Sequence, residues 1–201
     1  MSPVACCLRR WFIGMALALA LGVAANASAA ADERIGLMSA VLEPAAAGQA
    51  PGIYLDATFE FELAPTLDEA LHKGIALYFA IEFELSRERW WWLNRKLVST
   101  QLVYRLSYSP LTRQYRLARG GLSQPFETLD EALALMKSVR NWKVMDRGLL
   151  KPGEDYVAEL RMRLDTSQLP KPFQVNAIAS REWTLASEWQ PVRVPPELAR
   201  P

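Results

Sequence analysis

Ile53-Tyr54-Leu55-Asp56-Ala57-Thr58-Phe59-Glu60-Phe61-Glu62-Leu63 alternates apolar and polar residues along its whole length. Successive side chains of a β-strand point to opposite faces, so this period of two predicts a strand with one buried face. The stretches 77–85 and 156–164 alternate in the same way. Strands with one solvent-exposed face are typical of antiparallel sheets, because parallel sheets bury both faces. The pattern therefore predicts a mostly β fold, an antiparallel β-sandwich of immunoglobulin-like architecture.

The clearest hairpin signal is Ser109-Pro110-Leu111-Thr112, which lies between two stretches, 102–108 and 115–117, that alternate apolar and polar residues. Pro110 presets the φ angle of the second turn position, and Ser109 suits the first. Two later strands are predicted, from about Phe173 to Ser180 and from Glu182 to Val192. The proline-rich tail, residues 193–201, is predicted to be extended or disordered.

The hexapeptide Thr66-Leu67-Asp68-Glu69-Ala70-Leu71 recurs as Thr128-Leu129-Asp130-Glu131-Ala132-Leu133. A threonine can cap a helix N-terminus, and the acids that follow suit the positive end of the helix dipole. We therefore predict two short helices, the second extending far enough to place Val139 on its apolar side. Two interpretations stay open: a duplicated strand–helix–strand unit, or convergence of two capped crossings between sheets.

Residues 1–29 have the pattern of a secretory signal peptide. Arg9 and Arg10 precede an apolar run over 11–25, and an Ala-x-Ala exit follows. The run is shorter than the roughly 20 apolar residues that span a bilayer. Cleavage fits equally well after Ala27, Ala29 or Ala31, and a retained N-terminal anchor is the alternative. We expect a periplasmic protein with one domain at 30–192 and no integral membrane span after cleavage.

The charge and cysteine content narrow the function further. The chain has 23 basic and 22 acidic residues, and Arg9 and Arg10 leave with the leader, so the mature net charge is close to zero. Such a charge gives no general field for nucleic acid or anionic lipid, and we predict no nucleic-acid partner. Cys6 and Cys7 both precede the apolar run. The mature chain therefore lacks thiols, which excludes cysteine nucleophiles, thiolate metal sites and redox switching.

Few residues offer catalytic chemistry. His72 is the only histidine, so histidine-based catalysis or a histidine metal site would have to use it. At a helix end it more simply faces the negative end of the dipole, and we predict no metal and no cofactor. Paired carboxylates, as in glycoside cleavage, are the other option, with Glu60 and Glu62, or Glu82 and Glu84, as candidates. Cross-strand ion pairs explain these acids without catalysis; the cations available for them are Arg105, Arg116, Arg161 and Arg163.

The aromatic run Trp90-Trp91-Trp92 follows a strong strand and lies among basic residues. Neighbouring strand side chains point to opposite faces, so three consecutive tryptophans cannot all enter one core. An exposed tryptophan beside arginine suits stacking on sugar rings or anchoring a protein interface. The alternative is burial of the outward ring under a loop or helix. The candidate contact surface consists of Trp90, Trp91, Trp92, Arg87, Arg89 and Arg95.

The order of these motifs resembles that of a known family. The triple tryptophan leads into Tyr104-Arg105-Leu106-Ser107-Tyr108-Ser109-Pro110-Leu111-Thr112-Arg113-Gln114-Tyr115, then the second hexapeptide, then Leu164-Asp165-Thr166-Ser167-Gln168-Leu169-Pro170-Lys171-Pro172-Phe173-Gln174-Val175-Asn176, Trp183 and Trp189. Together they resemble an uncharacterised family of exported proteobacterial proteins, a domain of unknown function sometimes labelled proline-rich signal peptide protein. The resemblance covers essentially the whole mature chain and supplies no catalytic or binding residues.

The resemblance also implies a setting, because members of the family are often encoded beside a nitrogen-regulation-type sensor kinase. That association suggests envelope signalling with the kinase as a partner. From residues and resemblance together, we expect a non-enzymatic, envelope-associated module that binds a protein or glycan. An envelope hydrolase with paired carboxylates and a structural or assembly component are the alternatives.

Overall fold

The computed structural model describes residues 34–87, 95–179 and 183–199, and these ranges contain nine strands and three α-helices. The strands are β1 (Gly36–Pro44), β2 (Ile53–Glu60), β3 (Leu77–Arg87), β4 (Arg95–Ser109), β5 (Gln114–Arg119), β6 (Leu122–Phe126), β7 (Ser138–Met145), β8 (Tyr156–Leu164) and β9 (Gln190–Val192). The helices are α1 (Pro65–His72), α2 (Leu129–Lys137) and α3 (Lys171–Ala179). The protein is mostly β, as the alternation predicts.

The strands form two antiparallel sheets. The larger has the order β6-β5-β4-β3-β8-β9, and the smaller has the order β1-β2-β7. Just before β1, Arg34 bridges in parallel to Ala186, and the Ile35 N–H donates to the Ala186 carbonyl at 3.3 Å. The chain thus enters along the larger sheet and crosses to the smaller one at β1. This arrangement is consistent with the predicted β-sandwich.

The alternating stretches bury the faces that the sequence assigned to the core. Ile53, Leu55 and Phe59 of β2 have no exposed surface, and neither has Phe83 of β3. Ala80 is an exception, because it lies on the polar face of β3 yet is only 1% exposed. It is flanked by Val103 on β4 and Arg163 on β8, and these longer side chains explain its burial.

The predicted hairpin joins β4 to β5. Ser109 pairs with Gln114, and residues 110–113 form the turn, with Arg113 in the left-handed region at φ 53°. The next strand, β6, lies at the open edge of the sheet. That position tolerates Pro125, which has no N–H to give to a neighbouring strand.

Both copies of the repeated hexapeptide lie in helices that cross between the sheets. Helix α1 leads from β2 of the smaller sheet to β3 of the larger one, and α2 leads back from β6 to β7. The opposite sense of the two crossings favours convergence over duplication. The capping prediction is confirmed for Thr128, whose Oγ1 accepts the Glu131 N–H at 3.3 Å in a capping box. It is wrong for Thr66, because Ala64 is the N-cap and Pro65 occupies the first helical turn.

This difference predicts unequal effects for two matched substitutions. Thr128→Ala is expected to lower the free energy of unfolding by about 1 kcal/mol, because it removes an N-cap acceptor. Thr66→Ala, in the same hexapeptide, removes no cap and is expected to cost less. Urea denaturation of both variants measures the difference. Equal losses at the two positions would contradict the assignment of the caps.

Strand β7 begins where the sequence predicted that the second helix continues. Helix α2 ends at Lys137, and Val139 is a buried residue of β7. Alternation is hidden in this strand by a bulge at Asn141, which has φ 51° and lies at a register shift opposite β2. The Asn141 N–H donates to Asp56 Oδ1 at 2.8 Å, so a side chain replaces the missing ladder bond.

The prediction of only two helices, with a strand from Phe173 to Ser180, is wrong, because Lys171–Ala179 forms helix α3. Pro172 fits the first turn of a helix, where no N–H donor is needed. The Pro170 carbonyl accepts the Phe173 N–H at 2.9 Å, which opens the helix. Gln174 Nε2 then donates to the carbonyls of Ser167 and Leu169 at 2.8 and 2.7 Å, tying the helix to the preceding turn.

The C-terminal tail also departs from the prediction of an extended or disordered segment. Pro196–Ala199 forms a short 3-10 turn, in which the Leu198 N–H donates to the Pro195 carbonyl at 3.0 Å. Leu198 is 4% exposed and belongs to the core. One buried leucine therefore anchors a segment whose proline content alone suggested disorder.

Candidate functional site

The structure describes two members of the predicted contact surface, while Trp90, Trp91, Trp92 and Arg89 lie outside the described residues. Arg87 ends β3, and Arg95 begins β4 directly opposite it. Arg87 Nε lies 2.9 Å from Glu154 Oε2, and the Tyr156 hydroxyl donates to the same carboxylate oxygen at 2.7 Å. Burial raises the pKa of Tyr156, which keeps its hydroxyl protonated as a donor. Arg95 is exposed and has no ion pair with a described acid.

This pairing has an electrostatic consequence. Like charges directly opposite each other on neighbouring strands repel. Glu154 relieves that repulsion by pairing with Arg87, which leaves the charge of Arg95 available to a partner. The two arginines also fix the ends of the segment 88–94 next to each other. Of the predicted contact surface, the structure therefore describes two arginines that lie opposite each other at the ends of β3 and β4.

Two of the acids proposed for a hydrolase, Glu82 and Glu84, are held in ion pairs on the outer face of β3. Glu82 Oε2 accepts from Arg161 Nε at 2.6 Å, and Glu82 Oε1 accepts from Arg163 Nε at 3.0 Å. Glu84 accepts from Lys96 Nζ at 2.6 Å. The sequence offered Arg161 and Arg163, or Arg105 and Arg116, as cross-strand partners of these acids. In the structure, Glu82 pairs with Arg161 and Arg163.

The ionic network extends to both sides of Glu82. Arg163 also donates to Asp165 Oδ1 at 3.3 Å. Burial opposes ionisation of Asp165, but hydrogen bonds from Ser167 and Arg163 outweigh it and lower the pKa of the carboxyl. On the other side, the Arg161 guanidinium lies 4.5 Å from the centre of the Trp189 ring. Salt bridges and a cation–π contact thus fill this part of the face.

Glu60 occupies a different setting, beside a cavity of about 440 Å³ between β2 and α2. Its carboxylate accepts from Lys137 Nζ at 2.6 Å, and that hydrogen bond, with the lysine charge, lowers the pKa of Glu60. Asp130 also lines the cavity, while Glu62 is exposed. A lowered pKa is the reverse of what a general acid requires. The pairing favours a solvated charged face over catalysis.

His72 joins α1 to the β4–β5 hairpin through two tyrosines. Its Nδ1 donates to the Asp68 carbonyl at 2.9 Å, and in the neutral imidazole Nε2 then accepts a hydrogen bond from the Tyr115 hydroxyl at 3.1 Å. The His72 ring centre lies 4.7 Å from that of Tyr108, which in turn lies 4.9 Å from that of Tyr115. Burial and the negative charges of Asp68 and Asp130 raise the pKa of Tyr115. The sequence placed His72 correctly at a helix end but missed this cluster, which depends on the Tyr108–Tyr115 strand pair.

Neither a metal site nor a membrane-spanning helix is found in residues 34–87, 95–179 and 183–199. Within them, no group of three or more His, Cys, Asp or Glu side chains could hold a metal ion. No helix in the same ranges is both long enough and apolar enough to cross a bilayer.

The described residues thus form a small domain of two antiparallel sheets, which helices connect and whose outer faces carry ion pairs. The chain belongs to the family described as domain of unknown function (DUF4390), whose model matches residues 38–193. The predicted membership of an uncharacterised domain family is therefore confirmed. No curated protein and no solved structure shows significant similarity to the chain.

Proposed function

We propose that the protein is an exported, envelope-associated binding module that contacts a protein or glycan at the joined ends of β3 and β4. The contact residues are Trp90, Trp91, Trp92, Arg87, Arg89 and Arg95. One observation carries the proposal: Arg87 and Arg95 lie opposite each other, and Glu154 neutralises only Arg87. Tryptophan and arginine together are the residues most enriched at the energetic centres of interfaces.

The ionic partners of the acids support binding rather than hydrolysis. A retaining or inverting glycosidase needs one carboxyl with a raised pKa and a second that is free to act on the substrate. Here Glu60, Glu82 and Glu84 each accept a hydrogen bond from a cation at 2.6 Å. Such acids stabilise the sheet surface. The leader supports a role in the periplasm, and the family resemblance supports a link to envelope signalling through a sensor kinase.

The central test combines a local crosslinker with Trp91→Ala. A photo-crosslinking residue in place of Arg95 is expected to capture an envelope partner in intact cells. Trp91→Ala in the purified protein is expected to weaken binding of that identified partner by roughly tenfold or more, because central interface aromatics carry most of the binding energy. Titration followed by tryptophan fluorescence or calorimetry measures the change.

A matched position serves as control. Arg140 is exposed on β7 of the smaller sheet, where it pairs with Asp56 at 3.6 Å. The same crosslinker at Arg140 is expected to capture nothing specific. Equal capture from both positions, or unchanged affinity of Trp91→Ala with its fold intact, would place the interface elsewhere.

A further inference from the structure

The basic and acidic residues are unevenly distributed along the chain. Between Glu88 and Glu127 there is no aspartate or glutamate, and the part of this interval that the structure describes is basic. Its cations are Arg95, Lys96, Arg105, Arg113, Arg116 and Arg119. Arg89 also lies in the interval, so the rest of the chain has 16 basic against 22 acidic residues. The near-neutral total therefore conceals a strong charge asymmetry.

In the fold, the described part of this interval forms one side of the larger sheet. Strands β4, β5 and β6 are consecutive antiparallel neighbours at one side of the larger sheet, and β6 is its open edge. We call the range Arg95–Phe126 the basic meander. Its cations form two groups: Arg95 and Lys96 at the start of β4, and Arg105, Arg113, Arg116 and Arg119 in the β4–β5 hairpin.

Most cations elsewhere in the described strands and helices have an acid beside them. Pairs within 4 Å hold Lys73, Arg87, Lys137, Arg140, Lys143, Arg161 and Arg163. In the basic meander, only Lys96 has such a pair, with Glu84 of β3. Arg119 lies over the Tyr104 ring at 5.8 Å instead. Among the described residues, no acid pairs with Arg95, Arg105, Arg113 or Arg116.

Two of these arginines share an exposed surface of the sheet. Leu106 and Leu117 face the core, so Arg105 and Arg116, one residue before each, face outward. They are diagonal neighbours on β4 and β5, about 7–8 Å apart at their Cβ atoms by strand geometry. A separation of this size lets two guanidinium groups reach neighbouring anionic groups.

The turns of the basic meander expose large apolar side chains. Leu111, in the β4–β5 turn, is 94% exposed, and Leu122, after the β5–β6 turn, is 81% exposed. Arg113 lies two residues from Leu111 in the same turn, so a cation and an apolar side chain project together from the hairpin tip. Tips of this kind suit a boundary between a charged headgroup layer and hydrocarbon.

We propose that the basic meander docks on an anionic membrane surface, with Arg105, Arg113 and Arg116 on lipid phosphates and Leu111 at the headgroup–acyl boundary. The unpaired arginines match negative headgroups, and the exposed leucine favours a lipid surface over a hydrophilic glycan. The acidic remainder of the chain is repelled by the same surface, so the domain is held in one orientation. The residues that contact lipid lie in the β4–β5 hairpin, whereas Arg95, at the start of the basic meander, belongs to the proposed interface around Trp91. The two contacts concern different partners.

The test uses the purified mature protein and vesicles of two compositions. Co-sedimentation is expected with equal parts phosphatidylglycerol and phosphatidylcholine, and not with phosphatidylcholine alone. Arg105→Gln and Arg116→Gln are each expected to weaken binding about fivefold, from the contribution of one basic residue near an anionic surface. Arg113→Asn removes the charge while keeping a residue that tolerates the left-handed turn, and the same loss is expected. Leu111→Ser is expected to weaken binding while leaving its salt dependence unchanged.

Arg140→Gln provides the control, because it removes an equal charge from the smaller sheet and is expected to leave vesicle binding unchanged. Circular dichroism confirms the fold of each variant. Equal losses for Arg140→Gln and Arg116→Gln would overturn the proposal, since binding would then depend only on net charge. It would also be overturned by equal binding to both vesicle compositions, or by binding to poly-glutamate without binding to anionic vesicles, which would point to an acidic protein partner.

Discussion

Phe83→Ala is expected to lower the free energy of unfolding by about 3–5 kcal/mol, the largest loss expected from a single substitution in this domain. Phe83 has no exposed surface and lies on β3, the strand between β4 and β8. Deleting its ring removes apolar burial and leaves a cavity that the surrounding strands cannot close. Creation of a cavity in the core is one of the few mechanisms that give a loss of this size. Urea denaturation, monitored by far-UV circular dichroism, measures it.

Leu111→Ala is the control for this measurement. Leu111 is also a large apolar residue, but it is 94% exposed, so its truncation is expected to change the stability by less than about 0.5 kcal/mol. A loss under about 1 kcal/mol for Phe83→Ala would mean that the β3 side chain is not in a packed core. Similar losses at the two positions would contradict the assignment of inner and outer faces.

The strands with strict alternation could be predicted from the sequence because each buries one face and exposes the other. This holds for β2, β3 and β8, and turn chemistry fixed the β4–β5 hairpin through Pro110. Edge strand β1 could not be recognised, since Met38 and Val41 are apolar yet 69% and 48% exposed. Where neither face is deeply buried, hydrophobicity gives no period.

Helix α3 and strand β7 depend on interactions that a local pattern does not contain. Gln174 holds α3 by hydrogen bonds to carbonyls in the preceding turn, and Asp56 holds the β7 bulge by accepting the Asn141 N–H. In both cases one polar side chain decides the backbone conformation. Proline led to the opposite interpretation at Pro172, because the first turn of a helix accepts the residue as readily as an extended segment does.

The surface could be predicted only where its chemistry lies on one strand or on adjacent residues. Alternation predicts that Glu82, Arg161 and Arg163 face outward, but it does not choose these arginines over Arg105 and Arg116. The placement of Arg87 opposite Arg95 required the register of β3 against β4. The His72 cluster required the register of the hairpin. The positive charge of the basic meander is present in the sequence, but the net charge of the whole chain hides it, because acidic residues elsewhere balance it.

The partners of Glu82 make it the most important acid for stability on the outer face. Its side chain is 15% exposed, with Arg161 directly opposite on β8 and Arg163 diagonal to it. Removing the carboxylate leaves two guanidinium groups that are about a third exposed. Arg163 keeps its contact with Asp165, and Arg161 keeps its cation–π contact with Trp189. Partly buried charges without partners are costly, because desolvation is no longer compensated by pairing.

Glu82→Ala is therefore expected to lower the free energy of unfolding by about 1.5–3 kcal/mol, the range for a hydrogen bond to a charged group. Glu84→Ala is the matched control two residues along the same strand. It breaks a pair whose Lys96 is 54% exposed, so a loss of less than about 1 kcal/mol is expected. Urea denaturation at neutral pH compares the two variants. If Glu84→Ala lowers the free energy of unfolding as much as Glu82→Ala does, the network around Glu82 contributes no more than an ordinary surface ion pair. That result would contradict a stabilising role of Glu82 between β3 and β8.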